Sequence, residues 1–287
     1  MSDFEPRRIL CPIDFSRHSA AALRVGGVMA KLFGAELAVL HVQSVEAPVY
    51  FTTAQLQGLK SQLRRSIGAA RKEAAKFVTQ HLAAEVKQSV TVVEAIPVAA
   101  ILKKAREWKA GLIAMGTHGR GGLQRVLMGS VAESVLHNTA VPILTVGPRT
   151  NLGSPIKAVR RVMCPVNFSP MSQTALEHAG AVAMAAGAEL VVAHIVEAPI
   201  KSTEQDLVKR MCEGIPAEVR AHCTVKEVVK QGNAAEQIVE EAAKCPADLL
   251  VIGAQPRTFL GSFLFGSTTE AVIRSATCPV LSVVCKS

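Results

Sequence analysis

The chain has 287 residues, nearly half of them apolar, and a net charge of +9. With one Trp, one Tyr and nine Phe, its cores must be built from Ala, Val, Leu and Ile, which suits helices packed on buried parallel strands. No run is long and apolar enough to span a bilayer, and the polar segment 1–8 does not read as a secretory leader, so a soluble cytoplasmic protein with no membrane partner is expected.

Residues 8–13 form a short apolar run, the mark of a buried strand. Ser16 is placed to cap a helix over 20–33, which Gly34 ends. Residues 36–42 read as a second strand and 54–81 as one long amphipathic helix. A β-branched run at 86–93 predicts the third strand, and Pro97 opens a third helix at a position that tolerates proline. Residues 112–116 predict the fourth strand, 130–138 a short helix and 141–146 a closing strand. The order then repeats. Residues 7–42 and 160–195 align without a gap, with about half of the positions identical, and Gly129, Ser130, Glu133 and Pro142 recur as Gly266, Ser267, Glu270 and Pro279. The second copy is shorter, and its loss falls in the region of the long helix. Alternating strands and helices imply a parallel sheet covered on both faces. The expected fold is α/β: two tandem Rossmann-like domains, 1–147 and 157–287, each a five-stranded mostly parallel sheet, joined by a linker at 148–156.

The charge is unevenly spread. Residues 1–150 hold 19 Lys and Arg against 10 Asp and Glu, and residues 151–287 hold 13 against 13. The excess marks either an anionic ligand in the first half or the solvated face of the long helix, where Arg64, Arg65, Arg71, Lys72 and Lys76 cluster. No aromatic residues interleave with the basic ones, so a nucleic-acid partner is not indicated.

In such sheets ligands bind beyond the carboxyl ends of the strands. Asp14 follows the first strand there. The loop after the fourth strand runs from Gly116 through Gly119 to Gly129 and Ser130. Glycines let the backbone turn sharply and approach a ligand, and Gly129-Ser130 opens a helix whose first amides are unpaired and whose dipole favours an anion. Arg120 and Arg125 can add positive charge. This pattern, G-x2-G-x9-G-[S/T] with an Asp after the first strand, resembles the ATP-binding signature of universal stress proteins, and the resemblance covers the chain as two copies. It implies ATP as the ligand, with Mg2+ as an optional companion. Gly116, Gly119, Gly129 and Ser130 would hold the phosphates, Asp14 the nucleoside, and the backbone at Val42 would lie along the adenine. It also implies a role in stress survival.

The second half departs from the pattern. Asn167 stands for Asp14 and Pro256 for Gly119, while Gly253, Gly266 and Ser267 remain. Proline removes an amide donor and fixes φ, and the segment 258–265 is apolar. One nucleotide per chain is therefore expected. His41 and His194, at matching ends of the second strands, read as inherited packing rather than catalysts. His118 reads either as a phosphate contact or as a solvent-facing loop residue. Cys11 and Cys164 read as core thiols. His222-Cys223, with Cys212 upstream, makes a poor metal site if the pair lies on a strand, where neighbours point to opposite faces.

Neither a GxxxxGK[ST] loop nor a GxSxG elbow occurs. A regulatory ATP-binding protein is therefore favoured over a slow ATPase or nucleotide-transfer enzyme, because no general base or arginine clamp is in view. It is favoured over a structural protein with a vestigial site because the first loop is intact. The closing strands, each after a Pro, are expected at a sheet edge, joining the two halves about a pseudo-two-fold axis. The apolar run 259–265 is the candidate surface for a further homodimer.

Overall fold

Each half opens with the same strand-to-helix turn, and the rest of each half is wound around it. The computed structural model describes residues 4–44, 53–119, 128–150, 158–198, 202–254, 257–259, 262–264 and 266–284, with the backbone alone for 53–65, 257–259 and 262–264. The first half runs β1 (Arg8–Ile13), α1 (Arg17–Phe33), β2 (Glu36–Gln43), α2 (Thr53–His81), β3 (Gln88–Glu94), α3 (Pro97–Glu107), β4 (Leu112–Gly116), α4 (Ser130–Asn138) and β5 (Ile143–Val146). The second runs β6 (Arg161–Pro165), α5 (Pro170–Ala186), β7 (Glu189–Val196), α6 (Glu204–Gly214), α7 (Ala217–His222), β8 (Val225–Gln231), α8 (Ala234–Lys244), β9 (Leu249–Ala254), β10 (Arg257–Phe259), β11 (Ser262–Leu264), α9 (Ser267–Ser275) and β12 (Val280–Val284).

Local chemistry sets the ends of the repeated helix. The Ser16 and Ser169 hydroxyls accept the amides of Ser19 and Ser172, and Gly34 and Gly187 end their helices in the left-handed region at φ of 59° and 61°. Two features of the second half go beyond the sequence reading. The place of α2 is taken in the second half by two short helices, α6 and α7, because Pro216 interrupts the run. The segment expected only as an apolar loop contains an antiparallel ribbon, β10 with β11, whose second strand lies against α4 of the first half.

The strands form one ten-stranded sheet in the order β3-β2-β1-β4-β5-β12-β9-β6-β7-β8. Pairs within each half are parallel. The junction, β5 with β12, is antiparallel, with Leu144 opposite Leu281 and the Thr145 hydroxyl donating to the Val280 carbonyl at 3.1 Å. Both faces are buried along the central strands, which are largely apolar, while the outer strands β3 and β8 carry exposed polar residues. Ile9, Cys11 and Ile13 belong to the core under α1 and α5, and Leu10 belongs to the opposite core under α3, α4, α8 and α9. Cys11 and Cys164 are fully buried, and desolvation pushes the Cys11 thiol up to about 12 and Cys164 further. Neither is a thiolate nucleophile.

The halves also meet beyond the sheet. Phe4 packs edge-on against Phe33, with ring centroids 5.7 Å apart, and lies 4.3 Å from the His178 ring on α5. Burial holds His178 below the usual imidazole range, partly offset by its hydrogen bond to the Thr174 carbonyl. The unfolded chain therefore binds protons that folded His178 resists, so stability is present above about pH 6.5 and is lost as the pH falls below it. His18 and His81, also held low by burial, act with the same sign. His178→Phe, which keeps the ring and removes the titration, should reduce the drop in melting temperature between neutral and mildly acidic buffer. An undiminished drop would dismiss His178 as a contributor.

Candidate functional site

The turn after β1 is strained and duplicated. Asp14 accepts the Ser16 amide on Oδ1 at 3.0 Å, and Asn167 accepts the Ser169 amide on Oδ1 at 3.2 Å. The next residues, Phe15 and Phe168, sit at φ of 64° and 61°, where a β-carbon is disfavoured. His41 and His194 hold these turns. Their Nδ1 atoms donate to the carbonyls of Ile13 (2.9 Å) and Val166 (2.8 Å), and their rings lie 4.4 and 4.5 Å from Phe15 and Phe168. Their role is to support the turn that aims residue 14 or 167 outward.

Gly116 ends β4 beneath the first turn of α1. A β-carbon there would lie 2.8 Å from His18 Cβ and 2.9 Å from its carbonyl carbon. Thr117 continues the sheet pairing, its amide donating to the Val146 carbonyl at 3.0 Å while its own carbonyl accepts Gly129 at 2.7 Å. The first and last turns of the loop are thereby tied together. A β-carbon at Gly119 would lie 2.7 Å from Asp14 Oδ2, so the loop comes up against the carboxylate, and any side chain at 119 would make the Asp14 side chain shift. Gly129 caps α4 without a side-chain acceptor, leaving the first amides of that helix to whatever occupies the space in front of them.

These groups surround a cavity of about 580 Å3. Asp14, Gly116, Thr117, His118, Gly119, Gly129 and Ser130 line its polar side, and Leu40, Val42, Ile101 and Met115 its apolar side. Asp14, Val42, Gly116, Gly119, Gly129 and Ser130, widely spaced in the chain, thus come together at one opening, while Arg120, Arg125 and Pro256 lie outside the described residues.

The matching cavity of the second half has about 230 Å3. Ile195 replaces Val42, and Thr269 replaces Ala132 and donates to the Gly253 carbonyl at 3.2 Å. Glu197 stands where the first half has Ser44, and its carboxylate accepts the Ala234 amide at the start of α8 at 3.1 Å. Larger side chains and an internal acceptor thus fill space that is open in the first half.

The structure also revises two local readings. His118 does not face solvent: its Nδ1 lies 2.9 Å from the Thr117 hydroxyl and its Nε2 is buried. His222 closes α7 and Cys223 follows it, so the pair is not on a strand, and the Cys212 thiol donates to Glu227 at 3.1 Å. His18 and Thr117 carry the loop yet were not singled out from sequence. For His18 a signal existed: a histidine stands where the second copy has Met171, in an otherwise closely repeated helix. Among the described residues there is no cluster of three His, Cys, Asp or Glu arranged for a metal, and no helix long and apolar enough to cross a membrane.

Known proteins match the chain as a whole. A universal stress protein from Mycolicibacterium smegmatis is 29% identical over 96% of this chain and 96% of its own. One from Methanocaldococcus jannaschii is 37% identical over 49% of this chain and 81% of its own. The crystal structure of a universal stress protein from Archaeoglobus fulgidus superposes with a TM-score of 0.72 at 24% identity, over 98% of this chain and 99% of that one, which shows a shared fold. The sequence pattern of the Universal stress protein family matches twice, at residues 5–147 and 158–283, and the chain is therefore a member of that family with its unit present in tandem.

Proposed function

We propose that this protein is a cytoplasmic, ATP-binding regulatory protein of the stress response, with its nucleotide in the first half. The observation that carries this reading is the meeting of Asp14 with Gly119 in front of the uncapped start of α4. It offers a carboxylate for ribose hydroxyls beside free amides for phosphate oxygens. The apolar side of the cavity, with Val42 and Ile101, suits a flat base. The buried Nε2 of His118, without a partner among the described residues, supports an anionic ligand at the polar end. Mg2+ enters, if at all, with the phosphates. The domains are taken as 1–147 and 157–287 about the linker, and the antiparallel β5–β12 junction as an intramolecular pseudo-dimer.

When ATP is bound, the protein's part is binding and orientation, and occupancy changes the surface offered to partners. The second half, with Asn167, Pro256 and the narrower cavity, takes no ATP. Titration calorimetry should give one site per chain. ATP at a hundredfold excess over its dissociation constant should stabilise the fold by about 2.7 kcal/mol. Gly119→Pro, the residue that the second half carries, should abolish that gain without unfolding the protein. Two equivalent sites, or an undiminished gain in the variant, would refute the assignment.

A further inference from the structure

Two imidazoles meet at the glycine loop: His118 lines the cavity described above, and His18 stands behind it. His18, in the first turn of α1, is buried, and neither of its ring nitrogens has a partner among the described residues. His118 lies across from it, with ring centroids 5.5 Å apart. The Thr117 hydroxyl lies 3.4 Å from the Val146 carbonyl, to which it donates, so it accepts from His118 Nδ1–H. On that assignment Nε2 of His118 is the bare, basic nitrogen, and it is buried with no partner among the described residues. A buried polar atom left unpaired carries a cost, and three such nitrogens within one site call for an explanation.

We propose that the first-half site takes up its phosphate ligand together with a proton, which resides on the His18–His118 pair. The inference rests on the reading of an anionic nucleotide in this cavity. Among the described residues the groups facing the pair are few. Arg17 on the same helix and the two rings themselves oppose charging of His18, and Asp14 at the end of β1 favours it. Beneath α1, β1 offers only the buried Cys11 near this region, and the segments Leu112–Gly116 and Ile143–Val146 carry no ionisable side chain. The ionisable groups that α2 and α5 bring toward α1 lie farther along it: His81 beside Arg24 at 3.2 Å, and His178 beside Phe4 near Phe33.

In the free protein, burial keeps His18 neutral. A phosphate at the loop reverses the balance, because its negative charge in a poorly solvated cavity stabilises an imidazolium. A proton then leaves solvent and joins a ring nitrogen lone pair. The resulting N–H donates to a phosphate oxygen or to the other ring, and no covalent bond of the ligand changes. Binding should strengthen as the pH falls from the midpoint of the liganded pair to that of the free pair. The second half has Met171 and Gln255 at these positions and cannot respond.

The test is calorimetric titration of ATP into the full chain near neutral pH, in two buffers of different ionisation enthalpy. The wild type should take up a proton, and its affinity should rise as the pH is lowered, by at most about tenfold per pH unit for one linked proton. The double variant His18→Met, His118→Gln should show neither effect beyond the titration of ATP itself. Should that variant fail to bind, ring-proton NMR of the wild type decides: adding inorganic tripolyphosphate should raise the titration midpoint of at least one of the two histidines. Equal proton uptake in wild type and variant, or unmoved midpoints with tripolyphosphate bound, would overturn the inference and leave ATP binding intact. Absence of any ATP binding by the wild type would remove the functional reading, and this inference with it.

Discussion

Gly116→Val is expected to be the most damaging single substitution near the cavity. Its β-carbon would lie 2.8 Å from His18 Cβ and 2.9 Å from the His18 carbonyl carbon. Neither atom is the free end of a flexible side chain, so the first turn of α1 must lift off β4. Overpacking of this kind costs about 1–3 kcal/mol, and a displaced backbone costs more. The same movement carries away the Ser16 cap and the Asp14 turn, so stabilisation by ATP should be lost as well. Gly253→Val is the natural comparison. Its β-carbon meets the Met171 carbonyl oxygen at 2.8 Å, so it should also destabilise the fold. The damage lies in the second half, and ATP stabilisation should survive. Denaturant unfolding with and without ATP reads both quantities. A Gly116→Val protein as stable as the parent, with its ATP response intact, would mean that α1 does not rest on this residue.

The second large effect is expected from cutting the chain in two. A fragment of residues 1–150 keeps β5 but loses β12. That uncovers the edge where Leu144 faces Leu281 and where the Thr145 hydroxyl reaches the Val280 carbonyl. Ile143 and Leu144 are buried in the whole chain and would become solvent-accessible at an unpaired edge. Such an edge invites another strand, and the nearest available copy is β5 of a second fragment. The fragment should therefore dimerise or aggregate, which sedimentation velocity resolves. In the intact chain the second edge is held at high local concentration, so the pairing forms within the molecule. A stable monomeric fragment at dilute concentration would show that the edge is protected by other means.

Much of this organisation was legible in the amino-acid order. The duplication is visible because residues 7–42 and 160–195 repeat without a gap, and a repeat of that length can only be a repeated domain. The ends of the first helix were legible because Ser16 and Gly34 act on their own neighbours. The glycine loop was legible because backbone freedom is a property of the residue itself. Less was legible where partners come from afar. His41 and His194 could be seen to match, but not to brace a left-handed Phe, since the carbonyls they bond lie at or just past the end of a different strand. The ribbon β10–β11 escaped notice because an apolar run of that length has no decisive period.

By itself, then, the sequence determined the two α/β units, their capped first helices, the place of the cavity at the strand ends and the difference between the two loops. All of these follow from local propensity, spacing and comparison of one half with the other. The closing strands were expected to join the halves, but only the tertiary structure decided the register of β5 against β12 and that it makes one continuous ten-stranded sheet, because pairing between edges depends on which surfaces remain uncovered after each half has folded. Only it decided that residue 119 comes up against the Asp14 carboxylate, and that His18 and His118 face each other across the loop. Those contacts join residues about a hundred positions apart, and no local pattern records a distance that arises when α1 is laid across β4.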